Sequence, residues 1–135
     1  MELIYKLSEL EKASNFVLKN VNRDIILITG EVGTGKTTLI KEYCKLIGVE
    51  EIVNSPTYTL INEYQNKSSK IVHMDLYRVE DVKEINELGS FEYLDKYIVI
   101  IEWPEIILKM IDVKYSLINI IFINEKERKL SIKNL

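Results

Sequence analysis

Residues 24–37 read DIILITGEVGTGKT: a short apolar run, then glycines at 30, 33 and 35, then a lysine and a threonine. Gly30-Glu31-Val32-Gly33-Thr34-Gly35-Lys36-Thr37 satisfies G-x-x-x-x-G-K-T in full. The setting fits as well, because the pattern follows an apolar strand-like run and opens a helical one. Each residue type has a physical reason. Glycines let the backbone turn so that successive N–H groups converge on phosphate oxygens. A helix starting at Lys36 adds the positive end of its dipole to the same anion. Lys36 brings a compact charge to the outer phosphates, and the Thr37 hydroxyl is suited to Mg²⁺. Glu31, Val32, Gly33, Thr34, Gly35, Lys36, Thr37 and Thr38 are therefore the expected nucleotide-binding stretch.

Outward from this loop, apolar periodicity alternates between strand and helix. On the N-terminal side, Leu10, Ala13, Phe16 and Val17 recur at helical spacing, which predicts a helix over 8–18 with Ser8 as its cap. Asp24 to Thr29 reads as a buried strand. Leu39, Ile40, Tyr43, Leu46 and Ile47 predict a helix that Gly48 stops. Strands are expected over 58–64 and 70–74, joined by the polar turn 66–69. A short helix is expected over 81–88, ended by Gly89, with a further helical turn over 91–94. Strands follow over 97–101, 116–123 and 129–132. The interleaving predicts an α/β class: one P-loop NTPase-like domain over 1–135, with a mixed central sheet flanked by helices.

Composition sets the outer bounds. The chain has 135 residues, enough for one domain with a real core, and 47% hydrophobic against 29% charged residues is an ordinary globular balance. No apolar run reaches the length of a membrane span, and the N-terminal MELIYKLSELEK lacks the pattern of a secretory signal. A single cysteine, Cys44, excludes an intrachain disulfide and fits a reducing cytoplasm. With a net charge of −3 there is no overall basic field for holding nucleic acid, so RNA is expected to arrive through another protein. One histidine and one cysteine exclude a zinc site.

The run IVIIE over 98–102 poses the sharpest question, because four β-branched residues end on a carboxylate that must be compensated if buried. A surface lysine or arginine is one answer and a metal ion the other. The phosphate loop favours the metal, since such proteins place a carboxylate at the end of a neighbouring buried strand to hold Mg²⁺ directly or through water. Asp75, ending Ile71-Val72-His73-Met74, is the second candidate. It is free to orient a water or complete the metal's outer shell. Which carboxylate takes which task stays open here. His73, alone on its strand, reads as structural, Cys44 as inert packing, and Trp103 as either a packing anchor or a partner-facing contact.

Several kinds of protein use this cradle. Asn66-Lys67-Ser68-Ser69 lacks the aspartate of the guanine-reading Asn-Lys-x-Asp element, which disfavours GTP. A small-molecule kinase would close an arginine-bearing lid, and Arg23, Arg78 and Arg128 are the only arginines. That alternative, and a binding module without turnover, both stay open. After the loop come, in order, Ser55-Pro56-Thr57-Tyr58-Thr59-Leu60, His73-Met74-Asp75-Leu76-Tyr77-Arg78 and Glu102-Trp103-Pro104-Glu105. From about residue 24 to 105 this series resembles TsaE, the bacterial ATPase family of tRNA threonylcarbamoyladenosine biosynthesis.

The resemblance implies a cytoplasmic protein that hydrolyses ATP slowly alone. It would use Mg²⁺ and act with TsaB and TsaD, resetting the machine that modifies the anticodon-adjacent adenosine of tRNAs reading codons that begin with A. It implies Lys36 and Thr37 on phosphate and Mg²⁺, and Glu102 as the metal's second protein ligand. Residues 55–59, with Thr57, would sense the nucleotide. Asp75 to Arg78 would carry the residue that positions the hydrolytic water. Pro56 stiffens the first of these loops, and loss of a γ-phosphate would release it. Arg128 is a candidate for the adenine end of the nucleotide.

Overall fold

The computed structural model describes residues 1–56, 60–87, 89, 92, 94 and 96–135. Seven strands form one sheet: β1 (Glu2–Lys6), β2 (Ile25–Thr29), β3 (Ile61–Gln65), β4 (Lys70–Asp75), β5 (Ile98–Glu102), β6 (Ser116–Phe122) and β7 (Glu127–Asn134). Their spatial order is β1-β7-β6-β2-β5-β4-β3. β6, β2, β5 and β4 run parallel, while β3, β7 and β1 each join their neighbour antiparallel. The helices are α1 (Leu10–Asn20), α2 (Lys36–Leu46) and α3 (Val82–Glu87). The class is thus α/β with a mixed sheet, as the periodicity implies.

Side-chain alternation divides the sheet into two cores. On one face Ile26, Ile28, Ile71, Ile100, Ile118 and Ile120 pack with Leu39, Ile40 and Tyr43 of α2 and with Ala13 and Val17 of α1. On the other, Leu27, Val72, Met74, Val99 and Ile101 pack with Ile85 of α3 and with Ile107. Both faces are covered, which is why β2, β4 and β5 read as nearly unbroken apolar runs.

The structure differs from the sequence reading at three places. α1 begins at Leu10 after a 3-10 turn over Leu7–Glu9, and Ser8 does not cap it. The Glu9 carboxylate accepts the Lys6 backbone N–H at 2.9 Å and orders that turn instead. β1 is an addition to the expected strands: Leu3 and Tyr5 face inward and Glu2 and Lys6 outward, but the solvent-facing Ile4 makes the run 3–5 uniformly apolar and blurs the alternation. β3 begins at Ile61, and the expected strand residues Tyr58 and Thr59 lie outside the described residues. Of the helical turn expected over 91–94, residues 91 and 93 also lie outside the described residues. The 66–69 turn is as expected: the Asn66 side chain accepts the backbone N–H groups of Ser68 and Ser69 at 2.9 and 2.7 Å. No helix among the described residues is long and apolar enough to cross a membrane.

Candidate functional site

Parallel strands all end at one edge, and in this sheet β2 delivers the glycine loop there between the ends of β5 and β6. Gly30 could carry no side chain: a Cβ would lie 2.8 Å from the Ile120 carbonyl and 2.9 Å from the Thr34 hydroxyl. Gly35 sits at φ +98°, left-handed, immediately before α2, where a Cβ-bearing residue would be strained. Thr34 ties the loop internally, its hydroxyl donating to the Glu31 carbonyl at 2.9 Å.

Lys36, the first residue of α2, is buried. Its ammonium donates to the carbonyls of Gly30 and Glu31 and lies 4.1 Å from the centre of the Trp103 ring. Burial holds its pKa below the ordinary lysine value, an effect opposed by the carboxylates of Glu102, Asp75, Glu105 and Glu31. Trp103 stands at φ 56°, ψ 57°, an uncommon backbone state for a residue with a Cβ. Its ring packs on Tyr77 with centroids 4.8 Å apart. The strained backbone and the aromatic pair thus sit against the lysine.

The compensation of Glu102 is now visible. Ile98, Ile100 and Glu102 share one face of β5, and Ile71, His73 and Asp75 share the same face of β4, the face that α2 covers. Glu102 Oε1 accepts the Thr37 hydroxyl at 2.8 Å, and Oε2 meets His73 Nε2 at 2.8 Å. Glu102 and His73 are 1% and 0% exposed, so both oxygens are spoken for inside the protein. Neither a lysine nor an arginine is the partner. The histidine expected to be merely structural is one of the two groups that hold the acid. Asp75 pairs in register with Glu102, and one of its oxygens accepts the Tyr77 N–H at 3.0 Å.

An open cavity of about 370 Å³ joins these groups. Val32, Gly33, Gly35, Lys36, Thr37, Thr38, Asp75 and Glu102 all line it, so most of the expected site residues come together. Glu31 and Thr34 line a neighbouring cavity on the far side of the loop. Thr57 lies outside the described residues. Arg128 approaches from behind: Nε donates to the Thr34 carbonyl at 3.2 Å and Nη2 to the Gly33 carbonyl at 3.4 Å. Nη1 donates to the carbonyls of Asn124 and Glu127 at 2.6 and 2.9 Å. It braces the loop's carbonyls and does not line the cavity that holds Lys36, Thr37 and Glu102.

Among the described residues no three His, Cys, Asp or Glu side chains gather as a self-sufficient metal site. What converges at Thr37 is a hydroxyl and a carboxylate, all-oxygen and sparse. That donor set fits Mg²⁺, which keeps several waters and takes phosphate oxygens from its substrate. Sequence reasoning overlooked the His73–Glu102 contact and the Tyr77–Trp103 pair. The signal was present in HMD over 73–75, where two polar residues two apart share a face with the strand-ending acid.

The family model described as "Threonylcarbamoyl adenosine biosynthesis protein TsaE" matches residues 4–130. A tRNA threonylcarbamoyladenosine biosynthesis protein TsaE from Rickettsia felis is 36% identical over 110 residues, 81% of this chain and 64% of that protein's length. The protein of the same name from Rickettsia typhi is 35% identical over 111 residues, 82% and 77% of the two lengths. Its Bacillus subtilis counterpart is 40% identical over 85 residues, 62% of this chain and 52% of that protein. The matched stretch is therefore less than two thirds of two of these three relatives. The crystal structure of Bacillus subtilis YdiB superposes with a TM-score of 0.71, covering 98% of this chain and 84% of that one at 22% identity, which speaks to the fold.

Proposed function

The chain belongs to the TsaE family of threonylcarbamoyl adenosine biosynthesis proteins, and from that premise we propose that it is a cytoplasmic, single-domain, magnesium-dependent ATPase. The observation that carries this reading is the meeting of Thr37 Oγ1 with Glu102 Oε1 at 2.8 Å beside a loop built to hold phosphate. The loop's N–H groups and the α2 N-terminus would grip the β- and γ-phosphates. Lys36 would leave the carbonyls of Gly30 and Glu31 for the outer phosphate, exchanging neutral acceptors for an anion. Thr37 and Glu102 would hold Mg²⁺, which when bound neutralises charge developing on the phosphate oxygens. Asp75, which lines the same cavity, would orient the attacking water.

Among the described residues that line the cavity Lys36 is the one cation, so the transferring phosphoryl group would have little else to neutralise it, in keeping with slow turnover alone. In this reading the protein works with TsaB and TsaD, and hydrolysis resets the complex that modifies the anticodon-adjacent adenosine of tRNAs reading codons that begin with A. RNA contacts come through those partners, in keeping with the net charge of −3. The test is phosphate release from ATP with and without the TsaB–TsaD pair. A rate that changes on mixing, with co-elution of the three proteins, supports the proposal. No co-elution and an unchanged rate would reject it.

A further inference from the structure

His73 is the only histidine in the chain, it is 0% exposed, and it spans the gap between β4 and β5 to reach Glu102. Its Nε2 faces a carboxylate oxygen at 2.8 Å, so that nitrogen is assigned the proton and donates. Nδ1 is buried without a hydrogen-bond partner among the described residues, which makes it the bare nitrogen of this tautomer. A buried polar ring with one nitrogen unsatisfied carries a cost that an apolar side chain on this face would avoid. Ile71 occupies the same face two residues earlier and Ile100 is the register partner. Simple packing does not call for an imidazole there.

The geometry points to His73 as a positioning residue for the metal end of the nucleotide site. By holding Oε2 of Glu102, its N–H fixes the carboxylate's rotation and leaves Oε1 aimed at Thr37. Thr37 alone could hold the acid only through a single bond, about which the carboxylate would swing. Two bonds on opposite oxygens set both its tilt and its reach, so the acid can offer Mg²⁺ one oxygen in one direction. This is the role an outer hydrogen-bond donor plays for a metal-binding carboxylate. The inference rests on the magnesium–nucleotide reading above and adds the residue that orients its acid.

Calorimetric titration of a non-hydrolysable ATP analogue, once with excess Mg²⁺ and once with EDTA, tests it on the wild type, His73→Leu and His73→Gln. In the wild type Mg²⁺ should tighten binding. In His73→Leu, which removes the donor but keeps bulk, that tightening should shrink about 10- to 100-fold while the EDTA affinity stays within about twofold. His73→Gln places an amide N–H where Nε2 was and should restore most of the tightening. A thermal melt runs alongside, and if His73→Leu does not fold, His73→Asn, whose amide falls short of Glu102, replaces it. The inference is overturned if the donor-less variant keeps the wild-type Mg²⁺ effect, or if both affinities fall together with the melting temperature. A wild type that binds the analogue in neither condition would sink the nucleotide reading itself, a separable failure.

Discussion

The parallel block β6-β2-β5-β4 and the antiparallel wing β7-β1 are built from similar apolar residues but handle polar ones differently. In the block, β4 and β5 run their apolar residues straight into buried His73, Asp75 and Glu102 at a shared edge. In the wing, β7 alternates, with Leu130 and Ile132 buried while Ser131 between them and Lys129 before them are only partly covered and Lys133 is exposed. Parallel strands finish side by side, so their last residues can be gathered into one place, and that edge is where ligands meet such sheets. An antiparallel wing spreads its ends to opposite edges and contributes burial. Arg128 is the exception, reaching from β7 to the carbonyls of Gly33 and Thr34.

That division predicts that function and stability can be separated by mutation. Lys36→Ala, at the block's edge, should lower ATP turnover about 10²- to 10³-fold, as measured by phosphate release. Its melting temperature should hold or rise, because a buried ammonium is removed. Leu130→Ala, in the wing and 0% exposed, should do the reverse. A loss of about 2–5 kcal/mol in urea unfolding is expected, with nucleotide affinity unchanged below the transition. Arg128→Ala tests where the division fails. It should cost about 1–3 kcal/mol through the loop carbonyls it leaves unpaired and also weaken nucleotide binding, measured by calorimetry on one sample.

The smallest effect is in pH. Burial sets the pKa of Lys36 below the ordinary 10.5, so between the folded value and 10.5 the unfolded chain holds a proton the native chain lacks. Lys36 therefore penalises the nucleotide-free fold below that window, and the penalty is relieved as pH rises through it. Nucleotide affinity should fall over the same range, because the ammonium loses its charge. Parallel melts and titrations from neutral to alkaline pH should show the two trends with opposite sign, and Lys36→Ala should abolish both.

What could be read in the sequence was what is local. The loop from Gly30 to Thr37 carries its geometry in consecutive residues, and α2 follows from spacing and the stop at Gly48. β1 could not be read, because Tyr5 is buried against distant elements while Ile4 is left outside. Ser8 looked like a cap, but Glu9 reached the Lys6 N–H first and made a tighter turn. The partner of Glu102 was hidden for a related reason: His73 is 29 residues away and meets it only through the β4–β5 register. Arg128 looked free to meet a ligand, and only the fold reveals its hold on the loop from behind.

The most direct measurement is a crystal structure of the protein with Mg²⁺ and a non-hydrolysable ATP analogue. It should show Lys36 turned from the Gly30 carbonyl to the outer phosphate. Mg²⁺ should stand about 2.0–2.1 Å from Thr37 Oγ1, with Glu102 Oε1 on the metal or on one of its waters. A nucleotide whose magnesium is ringed by phosphate and solvent alone, with the Thr37–Glu102 hydrogen bond still closed, would contradict it.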